Sequence, residues 1–367
     1  MARSALTTTM TAMSHFELGL YTFGDITPDP SGGSITPAQR LRDVVDEARL
    51  ADEVGLDVFA VGEHHRADFP ISAPAVVLAA IAERTKRIRL SSAVNVLSSD
   101  DPVRVFQQFS TVDLLSDGRA EIMAGRGSFT ESFPLFGYDL RDYASLFAEK
   151  LEMLIALRTS ERITWSGAHR APIDERGVYP RPIQDLLPVW VAVGGTPESA
   201  VRTGLMGLPM ALAIIGGQPA RFAPFGELHR RAAAEAGHGH VPMSVNSHGF
   251  LAEDSQAASD AAWPATKLMT DRIGRERGWA PITREAYEAG HRLDGHTFTG
   301  SPAQVIEKIL YQHEIFGHDR FLMQFIVGSL PHPQVMRAIE LFGSEVAPVV
   351  RGEIARKTAA GPSPVDP

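Results

Sequence analysis

Cysteine is absent from all 367 residues. That excludes disulfide frameworks and thiolate metal sites, and it suits a reducing compartment, so a cytoplasmic protein is expected. Long apolar runs are missing too: LPMALAII is only strand-sized, and no stretch reaches bilayer-spanning length. The first 14 residues, MARSALTTTMTAMS, lack the apolar core of a secretory signal and read as a flexible leader. Lys and Arg form no block that could track a phosphodiester backbone, and the formal net charge is -9, so neither nucleic acid nor membrane is an expected partner. No G-x-G-x-x-G follows any strand-like run, which argues against a resident dinucleotide.

What is present is a regular alternation. FELGLYTF precedes a stretch in which Leu41, Val44, Val45, Ala48 and Ala51 share one helical face. Residues 57–61 form a nearly continuous apolar run, as expected for a parallel strand buried on both sides, and 73–85 reads as its helix. RIRLSSAVNVL, AEIMAG, VWVAV, LPMALAII, VPMSVNSHGFLA and FLMQFIV continue the series, separated by a helix that Pro102 opens and whose apolar stripe is Val105, Phe106, Phe109 and Val112, and by helical stretches over 143–157, 197–206 and 221–236, and closed by 333–346. Eight βα units in one chain favour a closed (β/α)8 TIM barrel over an open doubly wound sheet, because closure removes both exposed edges. The expected organisation is a single barrel domain over 15–350 and a flexible tail over 351–367, ending GPSPVDP. Two segments, 161–187 and roughly 263–300, break the rhythm and read as insertions covering the barrel mouth.

Barrel chemistry sits where strands end and βα loops begin. Four such places carry polar or glycine-rich signals: Glu63-His64-His65-Arg66, Ala93-Val94-Asn95, Gly125-Arg126-Gly127-Ser128, and Gly194-Gly195-Thr196-Pro197-Glu198-Ser199. His64 with a neighbouring carboxylate reads as a general acid/base; the plainer alternative is a His that caps a helix or bonds a carbonyl. Adjacent His side chains on an extended segment point in opposite directions, which makes them poor co-ligands, so no metal is expected. Gly194 and Gly195 ahead of a Thr-Pro helix start read either as an anion cradle or as a tight turn with an ordinary cap. Arg126 reads as the second half of that cradle, or as a structural Arg paired with Asp113 or Glu121.

Taken in order, GEHH, DPVRVFQQFSTVDLLSDGRAEIMAGRGSF, LFGYDL, VWVAVGGTPESAVRTGLMGLPMALAIIGG and FTGSPAQVIEKI resemble the bacterial luciferase-like monooxygenases, over a span from Phe16 to Val346. The resemblance implies that His64 is the active-site His and Glu63 its preceding carboxylate. It further implies a non-prolyl cis bond at Ala93-Val94, next to Asn95, lying against a flavin ring. Arg126, with Gly194, Gly195, Thr196 and Ser199, would hold the flavin phosphate. The implied chemistry is reduced FMN, delivered as a diffusible cosubstrate by a separate flavin reductase, reacting with O2 through a C4a-peroxyflavin to oxygenate a small organic substrate. A homodimer packed through helices near strands two to four is implied as well. Two features depart from luciferase itself: Ala144 stands opposite a second phosphate Arg, and no counterpart of the reactive Cys exists, so light emission is not expected. A deazaflavin (F420)-dependent dehydrogenase and a non-catalytic flavin-binding protein are the competing readings. The Glu63-His64-His65 triplet favours FMN over the first, whose members typically show Asp-His here, and retention of both Glu63 and His64 argues against the second.

Overall fold

Eight of the apolar runs become strands: β1 (Glu17–Thr22), β2 (Val58–Val61), β3 (Arg89–Ser92), β4 (Ala120–Gly125), β5 (Val189–Val193), β6 (Met210–Ala213), β7 (Met243–Leu251) and β8 (Arg320–Gln324). In this computed structural model, which describes residues 15–26, 35–127, 129–325 and 327–360, each strand pairs in parallel with the next. β8 returns to β1 with Arg320 opposite Glu17, closing the (β/α)8 barrel. The leader at 1–14, Ser128, and residues 361–367 lie outside the described residues. Among the described residues no helix is long and apolar enough to cross a membrane.

The helices start where the sequence offers a start. Proline occupies the first turn of Pro37–Glu53, Pro102–Leu115, Pro197–Leu205 and Pro302–Phe316, positions where its missing N–H leaves no bond unmade. Asp101 caps the second of these by accepting the N–H groups of Val103 and Arg104. The apolar faces of the helices meet the outer faces of the strands in the main core, while alternate residues such as Tyr21, Ala60, Met123, Trp190 and Leu322 form a separate cluster inside the barrel.

The barrel floor is sealed by charge. Arg320, 2% exposed, donates to Glu17 Oε2 and Glu121 Oε1, both at 2.6 Å, and lies 4.1 Å from the Trp190 ring. Ligand space is therefore confined to the opposite end, where the strands finish.

Beneath the floor, His318 is 1% exposed among Phe16, Phe316 and Phe321, and neither ring nitrogen has a hydrogen-bond partner among the described residues. Burial, with a smaller push from His313, holds its pKa well below 6.5. The native state thus refuses a proton that the unfolded chain takes up, so His318 contributes stability above the unfolded value and loses it as pH falls below 6.5. One such proton is worth about 1.4 kcal/mol per pH unit. His318→Phe is expected to reduce the pH slope of unfolding free energy between pH 6.5 and 5 by about that amount; an unchanged slope in urea titrations refutes it.

Three expectations need correction or sharpening. Residues 351–360 do not leave the fold but continue the helix Ala347–Ala360. Val350 and Ile354 are buried there, and Arg351 donates to Asp57 Oδ2 at 2.6 Å. The segment 161–187 forms an antiparallel pair, Arg162–Trp165 with Ile173–Gly177, that climbs the outside of the helices to the rim. Its tip is held there by Glu149, which accepts the His169 N–H, and by Asp101, which pairs with Arg170 at 2.9 Å. The second insertion does lie over the mouth: the helix Ser255–Arg277 is pinned to the loop after β2 by Arg66, which donates twice to Glu276 at 2.6 and 2.9 Å, and by Arg272, 3.2 Å from Asp68.

Candidate active site

All four sequence-derived places lie at the carboxyl ends of their strands, on one rim of the barrel. The loop after β3 carries a cis Ala93–Val94 peptide bond, at the position the resemblance implied. The flanking strands make room for it. A Cβ at Gly62 would meet the Phe23 ring at 2.2 Å and the Ala93 carbonyl oxygen at 2.5 Å, and one at Gly125 would meet Val94 Cγ2 at 2.7 Å. Only glycine fits either place.

Across the rim, Arg126 reaches the helix that follows β5. Its Nη2 lies 3.4 Å from Thr196 Oγ1 and 3.3 Å from Ser199 Oγ, and the two hydroxyls are 2.6 Å apart. Thr196 is the N-cap residue, but its side chain makes no capping hydrogen bond, so the ordinary-cap reading fails and the first N–H groups of the helix are not answered by it. Neither structural partner considered for Arg126 is available: Glu121 is held by Arg320, and Asp113 by the N–H groups of Ala120, Ile183 and Gln184. Among the described residues no carboxylate forms an ion pair with Arg126. Its guanidinium rests on the Tyr143 ring at 5.2 Å, and the Tyr143 hydroxyl donates to the Gly127 carbonyl. A Cβ at Gly194 or Gly195 would meet nothing within 4 Å, and Glu198 is exposed. A guanidinium without a counter-charge, two hydroxyls, an open glycine pair and a helix N-terminus fit a phosphate.

The Glu63-His64-His65 triplet splits as an extended segment must. Glu63, 6% exposed, accepts the Asn95 side-chain amide at 3.2 Å and faces His65 Nε2 at 3.6 Å. Burial pushes its carboxyl up against the opposing pull of His65, while Glu63 in turn draws the His65 pKa up. Asn95, 2% exposed, is thus a bracket for Glu63. His64 turns the other way, into a cage of phenyl rings: Phe23 stacks on it at 4.6 Å, and Phe69 and Phe129 stand at 4.6 and 4.7 Å. The carboxylate it meets is that of Glu131, 3.5 Å from Nδ1. Sequence reasoning missed Glu131, the phenyl cage and the Arg66–Glu276 clasp, since each joins segments that are distant in the chain. The outer side of the cage is charged, with Arg66 and Arg277 flanking Phe129 at 5.0 and 5.2 Å.

Residues 16–319 match the sequence profile of the luciferase-like monooxygenases. The chain belongs to that family. Among its relatives, the 4-hydroxyprotoasukamycin monooxygenase of Streptomyces nodosus subsp. asukaensis is 28% identical over 85% of this chain and 88% of its own length. The F420-dependent glucose-6-phosphate dehydrogenase of Amycolatopsis mediterranei is 32% identical over 45% of this chain and 51% of its own. The oxygenating constituent of 3,6-diketocamphane monooxygenase from Pseudomonas putida, solved in complex with FMN, superposes with a TM-score of 0.74 at 20% identity, over 91% of this chain and 98% of that one. This luciferase-like chain is therefore an oxidoreductase of a family whose members include both flavin- and F420-dependent enzymes.

Proposed function

We propose that the protein is a monooxygenase that uses reduced FMN and O2 to oxygenate a small organic substrate at the barrel mouth. The Arg126–Thr196–Ser199 cluster carries this reading, because it gathers donors at one rim point with no carboxylate among the described residues answering them. These three side chains, with the backbone at Gly194 and Gly195, would hold the FMN phosphate. The Ala93–Val94 peptide and the glycines beside it would form the wall against the ring system. When bound, the reduced flavin supplies the electrons that activate oxygen. His64 moves a proton at the reacting centre, and Phe23, Phe69 and Phe129 keep water from it. The helix Ser255–Arg277 completes the enclosure. Glu63 enters as support for the loop after β3, through Asn95, rather than as the partner of His64. A cytoplasmic homodimer supplied with FMNH2 by a separate reductase, built on a single domain that includes the helix Ala347–Ala360, completes the proposal.

Oxygen separates this reading from the F420 alternative. With photoreduced FMN and a panel of aldehydes, ketones and aromatic substrates, the protein is expected to consume O2 in a substrate-dependent manner and to yield a product one oxygen heavier. Substrate-dependent reduction of F420 under anaerobic conditions, without such oxygen uptake, would overturn it.

A further inference from the structure

The carboxylate beside His64 comes from the loop after β4, 67 residues further along the chain. Glu131 Oε1 lies 3.5 Å from His64 Nδ1, long for a hydrogen bond but close for an ion pair, and also accepts the backbone N–H of His65 at 3.3 Å. Burial pushes the Glu131 carboxyl up; contact with His64, its own backbone N–H and that of His65 outweigh burial and hold it below the usual carboxylate range. The carboxylate is thus anchored from two sides against one edge of a ring that three phenyl groups prevent from turning. Glu63, the neighbour in sequence, is engaged with His65 and Asn95.

In a neutral imidazole the nitrogen that carries the proton is set by the hydrogen bond its partner nitrogen makes. We propose that Glu131 is a positioning residue that holds His64 as the Nδ1–H tautomer, leaving Nε2 as the atom that takes and returns the proton. The proposal rests on the flavin-dependent reading for its chemistry, but the tautomer itself is a property of the protein alone.

Ring nitrogens of histidine can be observed directly by long-range 1H–15N correlation on ligand-free protein carrying 15N-labelled histidine, with His64→Gln identifying the His64 signals. At pH 8 the wild type is expected to show His64 as one tautomer, protonated at Nδ1. Glu131→Leu, similar in size but without an acceptor, is expected to convert it to a mixture while leaving the other histidine signals in place. Glu131→Gln, of the same shape, serves as the second variant should the leucine disturb the loop. An Nε2–H tautomer in the wild type, or an Nδ1–H signal unchanged in both variants, overturns the proposal. Because no flavin, oxygen or substrate is present, this result is independent of whether the monooxygenase reading survives. In turnover, Glu131→Leu is expected to lower kcat about tenfold with KM for substrate unchanged; loss expressed in KM alone also overturns it.

Discussion

His64→Ala is expected to leave reduced FMN affinity within about twofold of wild type while substrate oxygenation slows by roughly 10²–10⁴-fold, the usual contribution of a placed acid or base. The separation follows from where the groups stand. The phosphate donors lie at the ends of β4 and β5, while His64 lies at the end of β2, inside its phenyl cage. Truncating a ring stacked on Phe23 also opens space, so His64→Gln, which keeps a polar side chain of similar bulk, is the companion variant and should lose nearly as much turnover. Pre-steady-state mixing with photoreduced FMN reads flavin binding and product formation separately. If both variants retain oxygenation within twofold of wild type, His64 carries no proton and the site must be reassigned.

How much of this was legible in the sequence depends on the distance over which each feature is encoded. The barrel was legible because short apolar-rich runs alternate with amphipathic helical stretches, several of which begin at prolines, signals that fit within about 15 residues; β2, with every residue from Val58 to Val61 buried, is the clearest case. The Arg126 and Gly194–Ser199 signals are also short. Their meeting was inferable because a barrel brings the ends of neighbouring strands to one rim, and β4 pairs with β5. Glu131 belongs to no periodic pattern: it meets His64 only because the loops after β2 and β4 fold over the same mouth. The proximity of Glu63 in the chain was misleading, because neighbours on an extended segment face opposite ways, and it reached His65 and Asn95 instead. The tail was misread from its last residues, GPSPVDP, although Val350 and Ile354, four apart, already marked a helical face. The hairpin at 162–177 carries a short apolar signal, Ile163, Trp165 and Ile173, that packs against the main core, but its second strand is charged and mostly exposed, and the carboxylates of Glu149 and Asp101 that hold its tip lie on other elements.

Arg126→Ala is expected to weaken reduced FMN binding about ten- to a hundredfold and to leave reduced riboflavin binding nearly unchanged. Hydrogen bonds to a charged group contribute roughly 1.5–3 kcal/mol, and each 1.4 kcal/mol is a factor of ten. Riboflavin has the same ring system without the phosphate, so the ratio of the two losses isolates the rim cluster from everything that touches the ring. The side chain can be removed without stranding a buried partner charge, since among the described residues Arg126 meets two hydroxyls, which remain hydrogen-bonded to each other, and the face of Tyr143. Fold stability should therefore change little, and a thermal melt provides that control. Arg126→Lys keeps the charge but loses the fork that reaches Thr196 and Ser199 together, so it should recover only part of the affinity. Equal loss for FMN and riboflavin would mean that the substitution disturbs the mouth as a whole, and the phosphate assignment would be withdrawn. Ionic strength provides a second check: the difference between FMN and riboflavin should shrink in high salt for wild type and stay small for Arg126→Ala, because only a charge–charge contact at an accessible rim is screened in this way.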